Sequence, residues 1–136
     1  AGDIAPLGEV AVSGQGTDVA IITYGNGAYL SHQAQRILNE GKIQVRIIDL
    51  RWLAPLPEEA ILDAIRDCDN VLVVDECRRT GSLSEAICTI LGEAATTSYA
   101  RLTAEDSFIA TGPAYGATLP SRDAIVDTVK KMVVGT

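Results

Sequence analysis

Histidine is nearly missing from this chain. His32 is the only one in 136 residues, and the three cysteines, Cys68, Cys77 and Cys88, stand apart from one another. With no CxxC pair and no Cys/His cluster, neither a zinc site nor a disulfide framework organises the fold. Unpaired thiols point to a reducing compartment, the cytoplasm or, in a eukaryote, the mitochondrial matrix. Basic residues are outnumbered, 11 against 18 acidic ones, for a net charge of −7. Nucleic acid and membrane surfaces call for basic patches, so neither is an expected partner. The only adjacent basic pairs are Arg78-Arg79 and Lys130-Lys131. Long apolar runs are lacking too. Val71–Val74 is far short of the roughly 20 residues that span a bilayer. The first ten residues, AGDIAPLGEV, have no basic start and no apolar block, so they do not read as a signal peptide. Residues 1–8 read instead as a polar interdomain linker. There is no GxSxG elbow, no HExxH and no Walker loop.

What is present is 47% hydrophobic residues in a chain of single-domain size. Apolar β-branched runs alternate with segments of helical spacing. Asp18–Tyr24, Ile43–Leu50, Asn70–Asp75 and Ser98–Thr103 read as strands, and Glu9–Ser13 as an extra edge strand. Ala28–Glu40 reads as a helix with Leu30, Ala34, Ile37 and Leu38 inward and Gly41 as its stop. Glu58–Asp67 comes after Pro55 and Pro57, with Ile61, Leu62 and Ile65 inward. Ser82 and Glu85 match a capping box for a helix that buries Leu83, Ile87, Ile90 and Leu91. Ala104–Pro120 reads as loop. Ser121 caps a last helix, Arg122–Val133, with Ile125, Val129, Met132 and Val133 inward. This order predicts an α/β fold with a parallel sheet, helices on both faces and right-handed crossovers.

In such sheets, sites lie in loops beyond the carboxyl ends of the strands. Gly25-Asn26-Gly27 begins like a dinucleotide fingerprint, with Asp49 placed for a ribose, but Leu30 occupies the third glycine position. A tight strand–helix turn explains the glycines more simply. Glu76, Arg78 and Arg79 come just after the third predicted parallel strand. They read as a structural ion-pair network at a subunit contact, ahead of an anion clamp. Cys77 reads as a small buried residue, ahead of an activated thiol. His32 has no orienting partner at local spacing, so it reads as a surface or interface residue rather than a catalytic one. Trp52 and Leu53 form an apolar loop that is either a partner surface or a local core plug. On these grounds alone the chain is an α/β domain without a self-contained active site.

Several segments together resemble a known family. Asp18–Gly25 (DVAIITYG) resembles the strand that opens the C-terminal domain of transketolase-like enzymes. Val45–Pro57 (VRIIDLRWLAPLP) and Asn70–Gly81 (NVLVVDECRRTG) resemble segments of the β subunit of 2-oxo acid dehydrogenase E1 components. Ser84–Ile87, Asp106–Ile109, Gly112-Pro113 and Leu119–Ser121 resemble the helix and tail of the same subunit. The resemblance runs over about residues 7–133. Cys77 departs from it, standing where small residues are usual, and Ala110–Tyr115 lacks the usual proline and acid pattern.

The resemblance implies a three-layer αβα, Rossmann-like domain over residues 9–134. Its five-stranded sheet would be mostly parallel with one antiparallel edge strand, Glu9–Ser13. It implies a parent enzyme that uses thiamine diphosphate and Mg, held by two other domains, with no catalytic or cofactor-binding residue expected in this one. It implies partners: other domains or subunits of the E1 enzyme, a homodimer-like assembly, and the subunit-binding domain of the acyltransferase (E2) core. Glu76, Arg78, Arg79 and Trp52 are the residues expected at such contacts. A transketolase or deoxyxylulose-phosphate synthase parent, a stand-alone nucleotide-binding module and a pure assembly module remain as alternatives.

Overall fold

The structure, a computed structural model, describes residues 6–96 and 98–135. Residues 1–5 of the expected linker lie outside the described residues. Along the chain come β1 (Val10–Ser13), β2 (Val19–Thr23), α1 (Asn26–Glu40), β3 (Val45–Leu50), α2 (Glu58–Ile65), β4 (Asn70–Arg78), α3 (Leu83–Glu93), β5 (Tyr99–Ala104), a short 3-10 helix (Gly112–Ala117) and α4 (Arg122–Val134). The strands form one five-stranded sheet in the order β1-β3-β2-β4-β5. All pairings are parallel except β1 with β3, where Val10 lies opposite Leu50 and Ser13 opposite Ile47. The expected mixed sheet with one antiparallel edge strand is what the chain forms.

Why β2 reads as an unbroken apolar run is plain from its surroundings. All five of its residues are buried, because helices cover both faces of the sheet. Val19 and Ile21 point into a cluster with Ala34 and Leu38 of α1 and Ile125, Val126 and Val129 of α4. Ala20 and Ile22 point the other way, against Ile61 and Ile65 of α2 and Ile87 and Leu91 of α3. Each fully buried Ile or Leu side chain contributes about 1.5–3 kcal/mol of transfer free energy.

Several expectations need correction. α1 begins at Asn26 rather than Ala28, and Ile37 is 37% exposed rather than inward. The buried stripe of α1 is Gly27, Ala28, Ser31, Ala34 and Leu38. Four of these are small, so the stripe is narrow and Ile37 falls on its flank. α2 stops at Ile65, two residues early, where Arg46 of β3 donates to the Ala64 carbonyl at 2.8 Å and to Asp67 at 2.6 Å. β4 runs on to Arg78, past the expected end at Asp75. The capping box on α3 does not close. Ser82 makes no side-chain cap bond, and Glu85 reaches back to the Gly81 N–H rather than to that of Ser82. By contrast, Ser121 caps α4 as expected, accepting from the Ala124 N–H at 3.1 Å.

The chain order places a topological switch point. From β2 the chain moves to β3 on one side. It then crosses back over β2 to β4 and continues outward to β5. The crevice beyond the carboxyl ends of β2 and β4 is therefore where this class of sheet binds ligands.

Candidate functional site at the switch point

Asp75 organises this crevice. A carboxylate at the end of an apolar strand is costly to bury unless it is hydrogen-bonded. Asp75 is 1% exposed, and its oxygens are met by donors from three segments of the chain. Its Oδ1 accepts from the Tyr24 hydroxyl at 2.6 Å and from the Cys77 N–H at 2.8 Å. Its Oδ2 accepts from the Ser84 N–H at 3.1 Å. One carboxylate thus ties the end of β2, the end of β4 and the first turn of α3. It also takes over the capping that Ser82 leaves undone, with negative charge at the positive end of the helix dipole. Burial alone would raise the Asp75 pKa, but the hydrogen bonds, led by that of the Tyr24 hydroxyl, outweigh it. The carboxyl is held below its usual value. On the other side, burial and the bonds to Asp75 and Cys77 push the Tyr24 phenol up, so it stays protonated.

Past Asp75, β4 bulges. Asp75 is opposite Thr103 and Arg78 opposite Ala104, so Glu76 and Cys77 are extra residues on β4. A bulge re-aims side chains and often lies beside functional sites. Here it turns Glu76 toward the start of α1, where Oε1 accepts from Asn26 Nδ2 at 2.6 Å. It leaves Cys77 exposed, with its sulfur 3.6 Å from the Tyr24 oxygen, which corrects the expectation of a buried residue. The other two thiols are half-buried, and burial pushes their pKa values up.

Within the chain itself, Glu76, Arg78 and Arg79 do not pair with one another. Among the described residues no carboxylate lies within 4.0 Å of Arg78 or Arg79, and Glu76 is held by Asn26 instead. Arg78 donates from Nε to the Thr80 carbonyl at 2.9 Å. Asp106 closes the far side. It accepts from the Thr80 N–H at 2.8 Å and from the Thr80 hydroxyl at 2.6 Å, and these bonds hold its carboxyl below the usual range.

Between these walls lies an open cavity of about 740 Å³. Tyr24, Leu53, Leu83, Phe108 and Ile109 give it apolar sides, and Cys77, Arg78, Gly81, Ser82 and Ser107 complete it. Phe108 is 91% exposed, an unusual position for the chain's one phenylalanine. Trp52 belongs elsewhere. It is half-buried in a separate hollow with Leu7, Pro55, Leu56 and Pro57, and its indole N–H has no hydrogen-bond partner among the described residues. The structure therefore gathers Arg78 into the cavity wall but not Trp52.

The fingerprint-like glycines are explained by packing. Thr23 pairs with Asp49 across β2 and β3, so Asp49 does stand beside the Gly25 turn. It is already paired with Arg51 at 3.4 Å, however. A Cβ on Gly27 would sit 2.4 Å from the buried Thr23 Oγ1, and Gly25 has φ +58°. Both glycines serve the tight turn from β2 into α1.

Sequence reasoning missed the Asp75 hub, the Thr80–Asp106 clasp and the cavity. The one available signal was an acid closing an otherwise apolar strand, which must have partners if it is buried.

A mostly parallel sheet between helix layers, with its crevice at the switch point, defines the class as a three-layer α/β domain. The chain belongs to the transketolase C-terminal domain family, whose model matches residues 8–125. It is 33% identical over 90 residues to the 2-oxoisovalerate dehydrogenase subunit beta of Bacillus subtilis, a match covering 66% of this chain and 28% of that protein. Against the pyruvate dehydrogenase E1 component subunit beta of the same species it is 26% identical over 131 residues, 93% of this chain and 40% of that one. The 1-deoxy-D-xylulose-5-phosphate synthase of Thermomicrobium roseum is 32% identical over 91 residues, 67% of this chain and 14% of that protein. A solved split-gene transketolase, described as an inactive beta4 tetramer, superposes with a TM-score of 0.85 at 22% identity. That match covers 96% of this chain and 44% of that one, and shows the shared fold. The chain thus spans less than half the length of each of these relatives.

Proposed function

We propose that this chain is the C-terminal assembly domain, residues 9–134 after a linker at 1–8, of a thiamine diphosphate-dependent 2-oxo acid dehydrogenase E1 component. The parent would decarboxylate a 2-oxo acid and pass the acyl group to lipoyl. The observation that carries this reading is the extent of likeness to the pyruvate dehydrogenase β subunit, which runs over 93% of the chain. The synthase likeness covers 67%. Its 32% identity nonetheless favours a second reading, a deoxyxylulose-phosphate synthase parent. Assaying the native species that carries this chain separates the two, because one consumes a 2-oxo acid with lipoyl and the other forms 1-deoxy-D-xylulose 5-phosphate.

The family is one of thiamine diphosphate enzymes, and the donor set of this chain does not suit that cofactor with its metal. The carboxylates at the switch point are already engaged, Asp75 by three donors, Asp106 by Thr80 and Glu76 by Asn26. The domain's own role would be contact, in a homodimer-like assembly, with other E1 subunits and with the acyltransferase core. Glu76, Arg78, Arg79 and Trp52 are the proposed contact residues, spread over the rim of the carboxyl edge. The expected result of Arg78→Ala with Arg79→Ala in the parent is weaker association by sedimentation velocity. Unchanged association would refute this role. The cytoplasm is the proposed location.

A further inference from the structure

The rim is one matter and the cavity inside it another. Five of the eight arginines, Arg46, Arg51, Arg66, Arg101 and Arg122, have a carboxylate within 4.0 Å. Arg36, Arg78 and Arg79 have none among the described residues. In a chain of net charge −7, an arginine without a carboxylate partner among the described residues, set in the wall of an apolar cavity, is conspicuous. Asp106 feels the charge of Arg78 but spends both its oxygens on Thr80. The Arg78 guanidinium is also fixed in place. Nε is held by the Thr80 carbonyl, and Nη2 lies 3.8 Å from where a Gly81 Cβ would stand, so it crosses the cavity wall at Gly81. The volume, about 740 Å³, falls in the range of roughly 300–1,000 Å³ typical of small-ligand sites. Such sites combine apolar walls with a few placed polar groups, and in open α/β sheets they lie at the switch point.

We propose that this cavity is a binding site for a small amphipathic carboxylate. Its apolar body would lie against Leu53, Leu83, Phe108 and Ile109, and its carboxylate would pair with Arg78. A guanidinium accepts a carboxylate in bidentate geometry, which adds direction to the charge. Partial closure of Phe108 over the apolar body would remove a large aromatic surface from water. The site is built from this chain alone and requires no metal, and in the parent a subunit contact at Arg78 would compete with the carboxylate.

The test uses the 136-residue chain and three probes: 4-phenylbutanoate, its neutral amide, and acetate. Binding is read from methyl resonances of Leu53, Leu83 and Ile109 and from titration calorimetry. The expected result is saturable binding of 4-phenylbutanoate with shifts confined to those methyls. The amide should bind about 10-fold more weakly, since it lacks the charge-assisted pair. Acetate should not bind measurably. Arg78→Gln, a surface change that leaves the core intact, should bring the acid down to the level of the amide. Phe108→Ala should weaken acid and amide alike. Equal affinity for acid and amide, no effect of Arg78→Gln, shifts outside the cavity, or no saturable binding would each overturn the proposal.

Discussion

Replacing Asp75 by Asn tests the carboxylate at the switch point. The oxygens of Asp75 serve three donors, the Tyr24 hydroxyl, the Cys77 N–H and the Ser84 N–H. An amide offers one oxygen and one NH₂ in the same space. With its oxygen at the Oδ1 position it can keep both the Tyr24 hydroxyl and the Cys77 N–H, more weakly without the charge, but the NH₂ then faces the Ser84 N–H, donor against donor. Hydrogen bonds to a charged partner are worth about 1.5–3 kcal/mol, and a buried donor left unmet costs about 1–3 kcal/mol. Asp75→Asn is therefore expected to lower unfolding stability by about 2–4 kcal/mol in urea titration at pH 7, with Tyr24→Phe costing about 1.5–2 kcal/mol. The two changes share a bond, so a double-mutant cycle should show about 1–2 kcal/mol of coupling. The pH dependence has a definite sign. The folded carboxyl lies below its ordinary value of 3.8, so the unfolded chain binds the proton first. The contribution of Asp75 is fully present above the unfolded value and is lost as pH falls through the folded one, beginning near pH 5. The gap between wild type and Asp75→Asn should accordingly shrink below about pH 4. A stability difference under about 0.5 kcal/mol, or a cycle additive within that margin, would refute the role of Asp75 as a hub.

The packing sets other outcomes. A Cβ on Gly16 would meet the backbone of Gln44 and Val45 at 2.3–2.4 Å. Gly16→Ala should therefore cost about 1–3 kcal/mol in chemical denaturation, and a neutral result would mean the β2–β3 edge yields freely. Ser121→Ala removes the cap of α4 and should cost about 1 kcal/mol, a few degrees in a thermal melt, with Ser121→Asp recovering most of it. Ile21 is fully buried between α1 and α4, so Ile21→Ala should cost about 2–5 kcal/mol by the same denaturation assay.

The sheet was legible because its information is local. DVAIITY and NVLVVD are apolar without alternation, and only strands covered on both faces require that. Ser121 announced α4 because a cap acts over three residues. Ser82 carried the same signal and misled, since Asp75, nine residues before Ser84, had already supplied the charge for α3. Ile37 failed for a related reason. Helical spacing says which residues share a face, but not how narrow the buried stripe becomes when its members are small. The candidate site was hidden by distance along the chain. Tyr24 meets Asp75 across 51 positions and Thr80 meets Asp106 across 26, and neither pair leaves a mark in local pattern. The segment 104–120 has no periodicity at all, so nothing in it foretold that Phe108 and Ile109 would wall a cavity with Leu53.

The central claim is that this domain serves a thiamine diphosphate-dependent 2-oxo acid dehydrogenase. Its most direct test is to capture the native species from source-cell extract with an antibody against this chain. The captured material is then assayed for reductive acylation of a lipoyl domain from pyruvate and from 2-oxoisovalerate, with and without thiamine diphosphate. The expected result is a species much heavier than 14.3 kDa, with cofactor-dependent acylation from at least one of the two acids. A heavy species that forms 1-deoxy-D-xylulose 5-phosphate and acylates no lipoyl, or a band at 14.3 kDa with no associated chain, would contradict it.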